Sequence, residues 1–251
     1  MIGVLNEVGG ICQSSGFQLL IEMFGVSGFV DIAEFVLGTI RGTASHYNTL
    51  IRIMCKSGDC RKAEDLVKGM KRSGCDPNTS TYNLLISCLC KNGKLAEALE
   101  MVKTMDRECV RPDAITYDIF INLSCKHRRF DLVSKLLDEM NLKGIEPCVS
   151  THAAVIKSYF ASGKYAEAHD YVVGTSIKKS CSSNVNYSLL ADLHLKAGNV
   201  LLAQKTLIEM MDEGLKPNFP VYVNIKKRLQ KKNEMDLSME LSRRYLNLIE
   251  K

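Results

Sequence analysis

The sequence predicts an all-α fold, an α-solenoid superhelix of helix-turn-helix repeats that are 35 residues long. Three observations predict it: residue types that recur at one period, two apolar helical faces within each period, and a composition that favours helices. The chain has 251 residues, of which only 5 are proline and none is tryptophan. It is rich in Leu, Ala, Glu and Lys, which favour helices over strands.

Several columns of residues keep the 35-residue period. The tyrosine column contains Tyr47, Tyr82, Tyr117, Tyr187 and Tyr222, with His152 in the gap. Alanine, methionine, glycine and proline columns run in parallel with it, and so does a cysteine column at Cys55, Cys90 and Cys125. Parallel columns at one period are the signature of a repeat architecture.

Each period contains two helical faces. In the best-defined period the first face consists of Tyr82, Leu85, Ile86 and Leu89, at helical spacing. Gly93 then ends that helix as a C-cap, a second apolar face follows, and Pro112 stops the second helix. One such hairpin cannot bury its apolar faces alone, whereas stacked neighbours can. We therefore expect about thirteen or fourteen helices in antiparallel pairs, stacked into a superhelix.

The 35-residue frame also predicts the organisation of the chain. Full repeats occupy residues 44–78, 79–113, 114–148, 149–183 and 184–218, of which 149–183 is divergent. A shorter, degenerate repeat precedes them at 14–43, and an incomplete repeat follows at 219–251. Residues 1–13 have only weak repeat character.

Composition narrows the classes of function. Lys plus Arg exceed Asp plus Glu by 33 to 28, and the net charge of +5 permits an anionic partner without demanding one. Since no run of about 18 apolar residues occurs, we expect no membrane partner. The first residues include Glu7 and lack the basic segment of a secretory signal. The chain has no glycine-rich phosphate loop and no supported catalytic set, so we expect no enzyme, no catalytic residue and no cofactor.

The ten cysteines are interpreted as reduced thiols. Cys88 and Cys90 lie two residues apart, and residues with this spacing point to different faces of a helix. Two cysteines that bind one metal ion would have to lie on the same face. Cys90 belongs to a repeat column, where a small buried apolar residue is the expected role. We therefore expect no zinc, no other metal and no disulfide.

The stretch "TYNLLISCLCKNGKLAEALEMVKTMDRECVRPD" closely resembles the pentatricopeptide repeat of organelle RNA-binding proteins. The resemblance extends over roughly residues 14–251, and the uniform repeat length is similar to the pure-repeat (P-type) class. It implies sequence-specific binding of single-stranded RNA, one base per repeat, in organellar RNA processing, stability or translation. It also implies a mitochondrion or chloroplast, although no Arg- and Ser-rich transit segment precedes the first repeat.

In the family, the fifth and last residues of each repeat read the base. The corresponding pairs are Asn48 with Asn78, Asn83 with Asp113, Asp118 with Cys148, Ala153 with Ser183, and Ser188 with Asn218. The first resembles a pyrimidine reader, the second a uracil reader and the last an adenine reader. The other two pairs depart from the usual combinations, as does Gln18 with Thr43, and Val223 has no closing partner.

The second residue of each repeat sandwiches the base in the family. These residues are Ser45, Ser80, Ile115, Ser150 and Val185. Serine replaces the usual apolar residue at three of them, and stacking contributes about 1–3 kcal/mol per base, so the serines predict weaker binding. Lys56, Lys91, Lys126 and Lys196 share one column that either contacts phosphates or is a solvated face. The basic stretch "KKRLQKK" at 226–232 either grips phosphates or caps the last repeat.

Two other classes of function stay open at this point. Helical solenoids also bind peptides in their concave groove, so the chain could be a protein-binding scaffold with other proteins as partners. It could also be a degenerate or truncated paralogue without a specific target. Both alternatives depend on the same observation, namely that only about three repeats carry usual base-reading pairs.

Overall fold

The computed structural model describes residues 14–40, 42–177 and 182–249, with side chains from residue 16 onward. Within these residues the chain forms fourteen α-helices and no strand, which confirms the predicted fold class. The helices are α1 (Ser14–Val26), α2 (Val30–Thr39), α3 (Ala44–Lys56), α4 (Cys60–Arg72), α5 (Thr79–Lys91), α6 (Leu95–Arg107), α7 (Ala114–Lys126), α8 (Phe130–Leu142), α9 (Val149–Ala161), α10 (Tyr165–Ile177), α11 (Ser183–Lys196), α12 (Val200–Asp212), α13 (Phe219–Lys231) and α14 (Met235–Ile249). Residues 1–13, the segment of weak repeat character, lie outside this description.

The helices alternate between first and second members of a repeat. The described residues fall into two compact bodies, divided after Ile119. In the N-terminal body the first helices α1, α3 and α5 pack on one another in sequence, and α2 and α4 each contact their own first helix and the next one. In the C-terminal body α9, α11 and α13 form the corresponding row, which α10 and α12 contact in the same way.

The turn between the two helices of a repeat requires one residue with positive φ. Gly93 adopts φ +74°, a left-handed conformation that glycine reaches without steric cost. In the repeat at 114–148 the same place is taken by Arg128, at φ +55°. An L-residue with a Cβ is disfavoured there by about 1–2 kcal/mol, so this turn is locally strained.

The repeat columns form the core. The column tyrosines Tyr47, Tyr82, Tyr117, Tyr187 and Tyr222 are all buried. The column alanines Ala63, Ala98, Ala168 and Ala203 are fully buried, as expected where two helices approach closely. Cys90 and Cys125 are buried, and burial raises the pKa of Cys55 to about 11, so this thiol stays protonated at neutral pH.

The expectation that no cysteines pair is wrong in one place. Cys60 in α4 and Cys88 in α5 are joined as a disulfide, with their Cα atoms 6.1 Å apart. The sequence argument treated Cys88 only as a neighbour of Cys90 on its own helix. It missed Cys60 because the contact is made between two adjacent repeats, a proximity that depends on how their helices pack.

Candidate nucleic-acid interface

Three of the predicted base-reading pairs meet at the junctions between repeats. The last residue of a repeat lies just before the next first helix, where it acts as the N-cap, as Asn78 does for α5. The fifth residue of the same repeat lies on its first helix, one turn beyond the start. Because successive first helices pack side by side, the two side chains meet across the junction.

Asn83 and Asp113 form the most complete pair. Asn83 is 7% exposed, and its Nδ2 donates to Asp113 Oδ1 at 2.9 Å. The same Oδ1 accepts the backbone N–H of Thr116 at 2.9 Å, so Asp113 caps α7. Thr116 Oγ1 lies 2.7 Å from Asn83 Oδ1. The Oδ2 atom of Asp113 takes none of these hydrogen bonds, which leaves a carboxylate acceptor beside an amide donor.

The charge state of Asp113 follows from its surroundings. Burial alone would raise its pKa, but hydrogen bonds from Asn83, from the N–H and hydroxyl of Thr116 and from the backbone N–H of Ile115 together lower the pKa below the usual value. The carboxylate is therefore ionised at neutral pH and can only accept. It suits the N3–H of uracil and repels the N3 lone pair of cytosine.

Asn48 and Asn78 meet in a similar way but more loosely. Asn48 Nδ2 lies 3.4 Å from Asn78 Oδ1, a long hydrogen bond. Asn78 Oδ1 also accepts the backbone N–H of Thr81 at 3.0 Å, and Thr81 Oγ1 donates to Asn48 Oδ1 at 2.7 Å. Both members of this pair are amides, so each can donate or accept.

Ser188 and Asn218 are in contact through a different atom. The hydroxyl of Ser188 accepts the backbone N–H of Asn218 at 3.1 Å, while the side chain of Asn218 is exposed. A cavity of about 440 Å³ adjoins them and is also lined by Val185 and Val221. This junction therefore has an opening beside the reading pair, with an apolar residue at the sandwiching position.

The remaining predicted readers include Cys148, Ala153 and Asp118. Cys148 caps the start of α9, with its Sγ 2.9 Å from Ser150 Oγ and 3.0 Å from Thr151 Oγ1. Ala153 has no polar side-chain atom, so it cannot hydrogen-bond a base. Asp118 lies half-buried in α7.

Ser183 lies in a different place from Asn78 and Asp113. It is 3% exposed, within the first turn of α11, and donates to the backbone oxygen of Thr175 at 3.2 Å. Ser182 takes the N-cap position instead. Ser182 stands in the column that holds proline in the other full repeats, and α11 starts one residue earlier in its repeat than α3, α5, α7 and α9 do.

The predicted sandwiching residues are all exposed near the start of their first helices. Ser45, Ser80, Ile115, Ser150 and Val185 are all exposed, at the second position of their repeats. Ile115 is 60% and Val185 49% exposed. Their exposure beside the reading pairs gives two positions where a base could stack on an apolar side chain.

The lysine column lies at the far end of the first helices. Lys56, Lys91, Lys126 and Lys196 are all exposed in the last turn of their helices. Lys196 differs from the rest, because its Nζ is paired with Asp192 Oδ2 at 2.6 Å. Beside this pair, Lys227, Arg228 and Lys231 of the "KKRLQKK" stretch line a cavity of about 360 Å³.

Sequence reasoning missed Thr81 and Thr116, which contact the reading asparagines. Each is the third residue of a first helix, and each also accepts the backbone N–H of the preceding cap residue, at 3.2 Å. The spacing of a cap residue followed three positions later by a polar side chain is that of a capping box, and could have been found in the sequence. The contact of these threonines with Asn48 and Asn83 could not have been found in the sequence, because it joins two repeats.

Two further properties of the described residues bear on function. Among them no group of three or more His, Cys, Asp and Glu side chains is arranged to hold a metal ion. No helix in that part of the chain is long and apolar enough to cross a membrane.

Family models match four stretches of the chain. A model described as the PPR repeat family matches residues 43–91, 77–126 and 112–161, and one described as the PPR repeat matches residues 185–215. Together these stretches cover more than half of the chain. No curated protein matches the sequence.

Solved structures of the same fold are similar over most or all of the chain. The pentatricopeptide repeat protein PPR10 in complex with an 18-nt psaJ RNA element is 22% identical, with a TM-score of 0.55 over 99% of this chain and 35% of that one. The chain thus spans about a third of the PPR10 structure that it matches. The PPR domain of Arabidopsis thaliana protein-only RNase P 1, in complex with tRNA, is 17% identical, with a TM-score of 0.51 over 72% of this chain and 95% of that one.

Proposed function

The chain belongs to the pentatricopeptide repeat (PPR) family, and we propose that it binds single-stranded RNA along its first helices, with one base per repeat. The observation that carries the proposal is the pair of Asn83 and Asp113. It places a fixed amide donor beside an ionised carboxylate acceptor, which is complementary to a carbonyl and the N3–H of uracil. PPR10 was crystallised with an 18-nt RNA element and the PPR domain of RNase P 1 with tRNA, which supports RNA as the class of ligand.

The three arranged junctions define a partial recognition code. Asn48 with Asn78 takes a pyrimidine, Asn83 with Asp113 takes uracil, and Ser188 with Asn218 takes adenine. Two unspecified bases separate the last two, because the intervening repeats lack a usual pair. The exposed Ile115 and Val185 stack on bases, and the lysine column attracts the phosphate backbone.

The cellular role is part of the proposal. We propose that the protein acts in organellar RNA processing, stability or translation, in a mitochondrion or chloroplast, as the family resemblance implies. We also propose that it acts by binding rather than as an enzyme. Incubation of end-labelled RNA with the protein and Mg²⁺ should leave the RNA intact, and specific cleavage products would overturn the binding-only role.

Selection from a randomised RNA pool, at two stated salt concentrations, tests the binding proposal. The expected enriched core, in the family's parallel orientation, is pyrimidine, uracil, two unspecified bases and adenine. Equal binding of duplex DNA, or enrichment of sequences unrelated to this core, would overturn it. A protein-binding scaffold would then be the better interpretation, since helical repeats also hold peptides in their groove.

A further inference from the structure

Two buried threonines touch the asparagines that are proposed to read bases. Thr81 is fully buried and Thr116 is 2% exposed. Each belongs to the repeat that follows the asparagine it contacts, and each hydroxyl oxygen lies 2.7 Å from the amide oxygen of that asparagine: Thr81 from Asn48, and Thr116 from Asn83. The same contact thus occurs at two successive junctions.

The direction of these hydrogen bonds is determined by the backbone. The hydroxyl oxygen of Thr81 accepts the backbone N–H of Asn78 at 3.2 Å, and a backbone N–H can only donate. Two side-chain oxygens lie within reach of the single hydroxyl proton, Asn48 Oδ1 at 2.7 Å and Asn78 Oδ1 at 3.1 Å. The shorter distance directs the proton to Asn48 Oδ1. The amide of Asn48 must then turn its oxygen toward the buried threonine and its NH₂ group toward the exposed Asn78.

We propose that Thr81 and Thr116 are positioning residues that determine which end of the reading asparagine faces the RNA, an inference that rests on the proposed function. The two ends of an asparagine amide have nearly the same shape, so a half-turn of the side chain exchanges donor and acceptor. With the oxygen held by threonine, Asn48 presents a donor. A donor matches the O2 carbonyl that both pyrimidines carry, whereas a carbonyl turned outward would accept the amino group of adenine.

The two junctions differ in how much the threonine hydroxyl contributes to the orientation of the asparagine amide. The partner of Asn83 is the ionised Asp113, whose carboxylate holds the NH₂ end at 2.9 Å and would repel the amide oxygen. The partner of Asn48 is the neutral amide of Asn78, at 3.4 Å. The hydroxyl of Thr81 is therefore the main determinant at its junction. The hydroxyl of Thr116 has a smaller effect, because the Asp113 carboxylate already holds the amide and, at 3.0 Å, competes with Asn83 Oδ1 for the hydroxyl proton.

The test replaces each hydroxyl by a methyl group of similar size. Thr81→Val should lower the preference for a pyrimidine over adenine, at the base facing Asn48, by about fivefold to tenfold. Thr116→Val should lower the preference for uracil at its own base only about twofold. Thr81→Ser keeps the hydroxyl and should retain the wild-type preference. Each preference is a ratio of two dissociation constants from one protein sample, so any unfolded fraction cancels.

The outcomes separate this inference from the proposed function. A wild-type protein without any base preference at these positions would overturn both. A wild-type preference that persists in Thr81→Val would overturn the positioning role alone, as would an equal loss in Thr81→Ser, which would indicate a packing effect. A loss in Thr116→Val as large as that in Thr81→Val would refute the stated difference between the two junctions.

Discussion

Replacing Asp113 with asparagine should move the preference at one RNA position from uracil to cytosine while the protein stays folded. Asp113 Oδ1 accepts from Asn83 Nδ2 and from the backbone N–H of Thr116, both at 2.9 Å. An asparagine can accept both bonds with its own Oδ1, and it is as good an N-cap as aspartate. The second carboxylate oxygen becomes an NH₂ group, so an acceptor in front of the base becomes a donor.

The size of the effect follows from the hydrogen bond that is lost. In the wild type the carboxylate receives the uracil N3–H, whereas in the variant two donors face each other. Leaving a polar group without its partner costs about 1–3 kcal/mol, and 1.4 kcal/mol corresponds to about tenfold in affinity. The preference for uracil over cytosine should therefore fall by about tenfold or more. The affinity for the better RNA should change little, because cytosine N3 accepts from the new NH₂ group.

The assay compares two RNAs that differ only at the base facing Asn83, by fluorescence anisotropy at one fixed salt concentration. Asp106→Asn is the matched control, since it makes the same charge change at an exposed position of α6. Thermal unfolding of both variants checks that the fold is kept. An unchanged uracil preference in Asp113→Asn, or the same change in Asp106→Asn, would refute the reasoning.

Three further changes have expected outcomes. Asp192→Asn should release Lys196 from its ion pair and strengthen RNA binding. The slope of the logarithm of the binding constant against the logarithm of the salt concentration should steepen by about 0.7, and an unchanged slope would show that this lysine contacts no phosphate. Cys60→Ser removes the disulfide to Cys88 and should lower the free energy of unfolding by about 3.5 kcal/mol, measured by urea unfolding without reductant. Equal unfolding free energies of the variant and the wild type would contradict a disulfide. Arg128→Gly should raise the unfolding free energy by up to about 1 kcal/mol by relieving its positive φ, and a loss of stability would argue against strain there.

The sequence by itself determined the repeat architecture and most of the candidate interface. Helical periodicity and the recurring glycine of the turns act over a few residues, so the fold class followed directly from them. Asn83 and Asp113 could be paired from the sequence because the family resemblance implies that the fifth and last residues of a repeat read one base, and the 35-residue frame identifies those positions. The turns at Arg128 and Asn233 both fall where the glycine column of the sequence is interrupted, and both residues have positive φ.

Only the tertiary structure decided the contacts between neighbouring repeats. Thr81 and Asn48 are 33 residues apart, and the hydroxyl that orients the amide comes from the following first helix. Cys60 and Cys88 are 28 residues apart and become neighbours in the same way. Ser183 fits the column of cap residues in sequence, yet an early helix start buries it. Each of these features depends on how closely one helix packs against the next. Side-chain packing sets that distance to within a few ångströms, and a repeat period in the sequence carries no information about it.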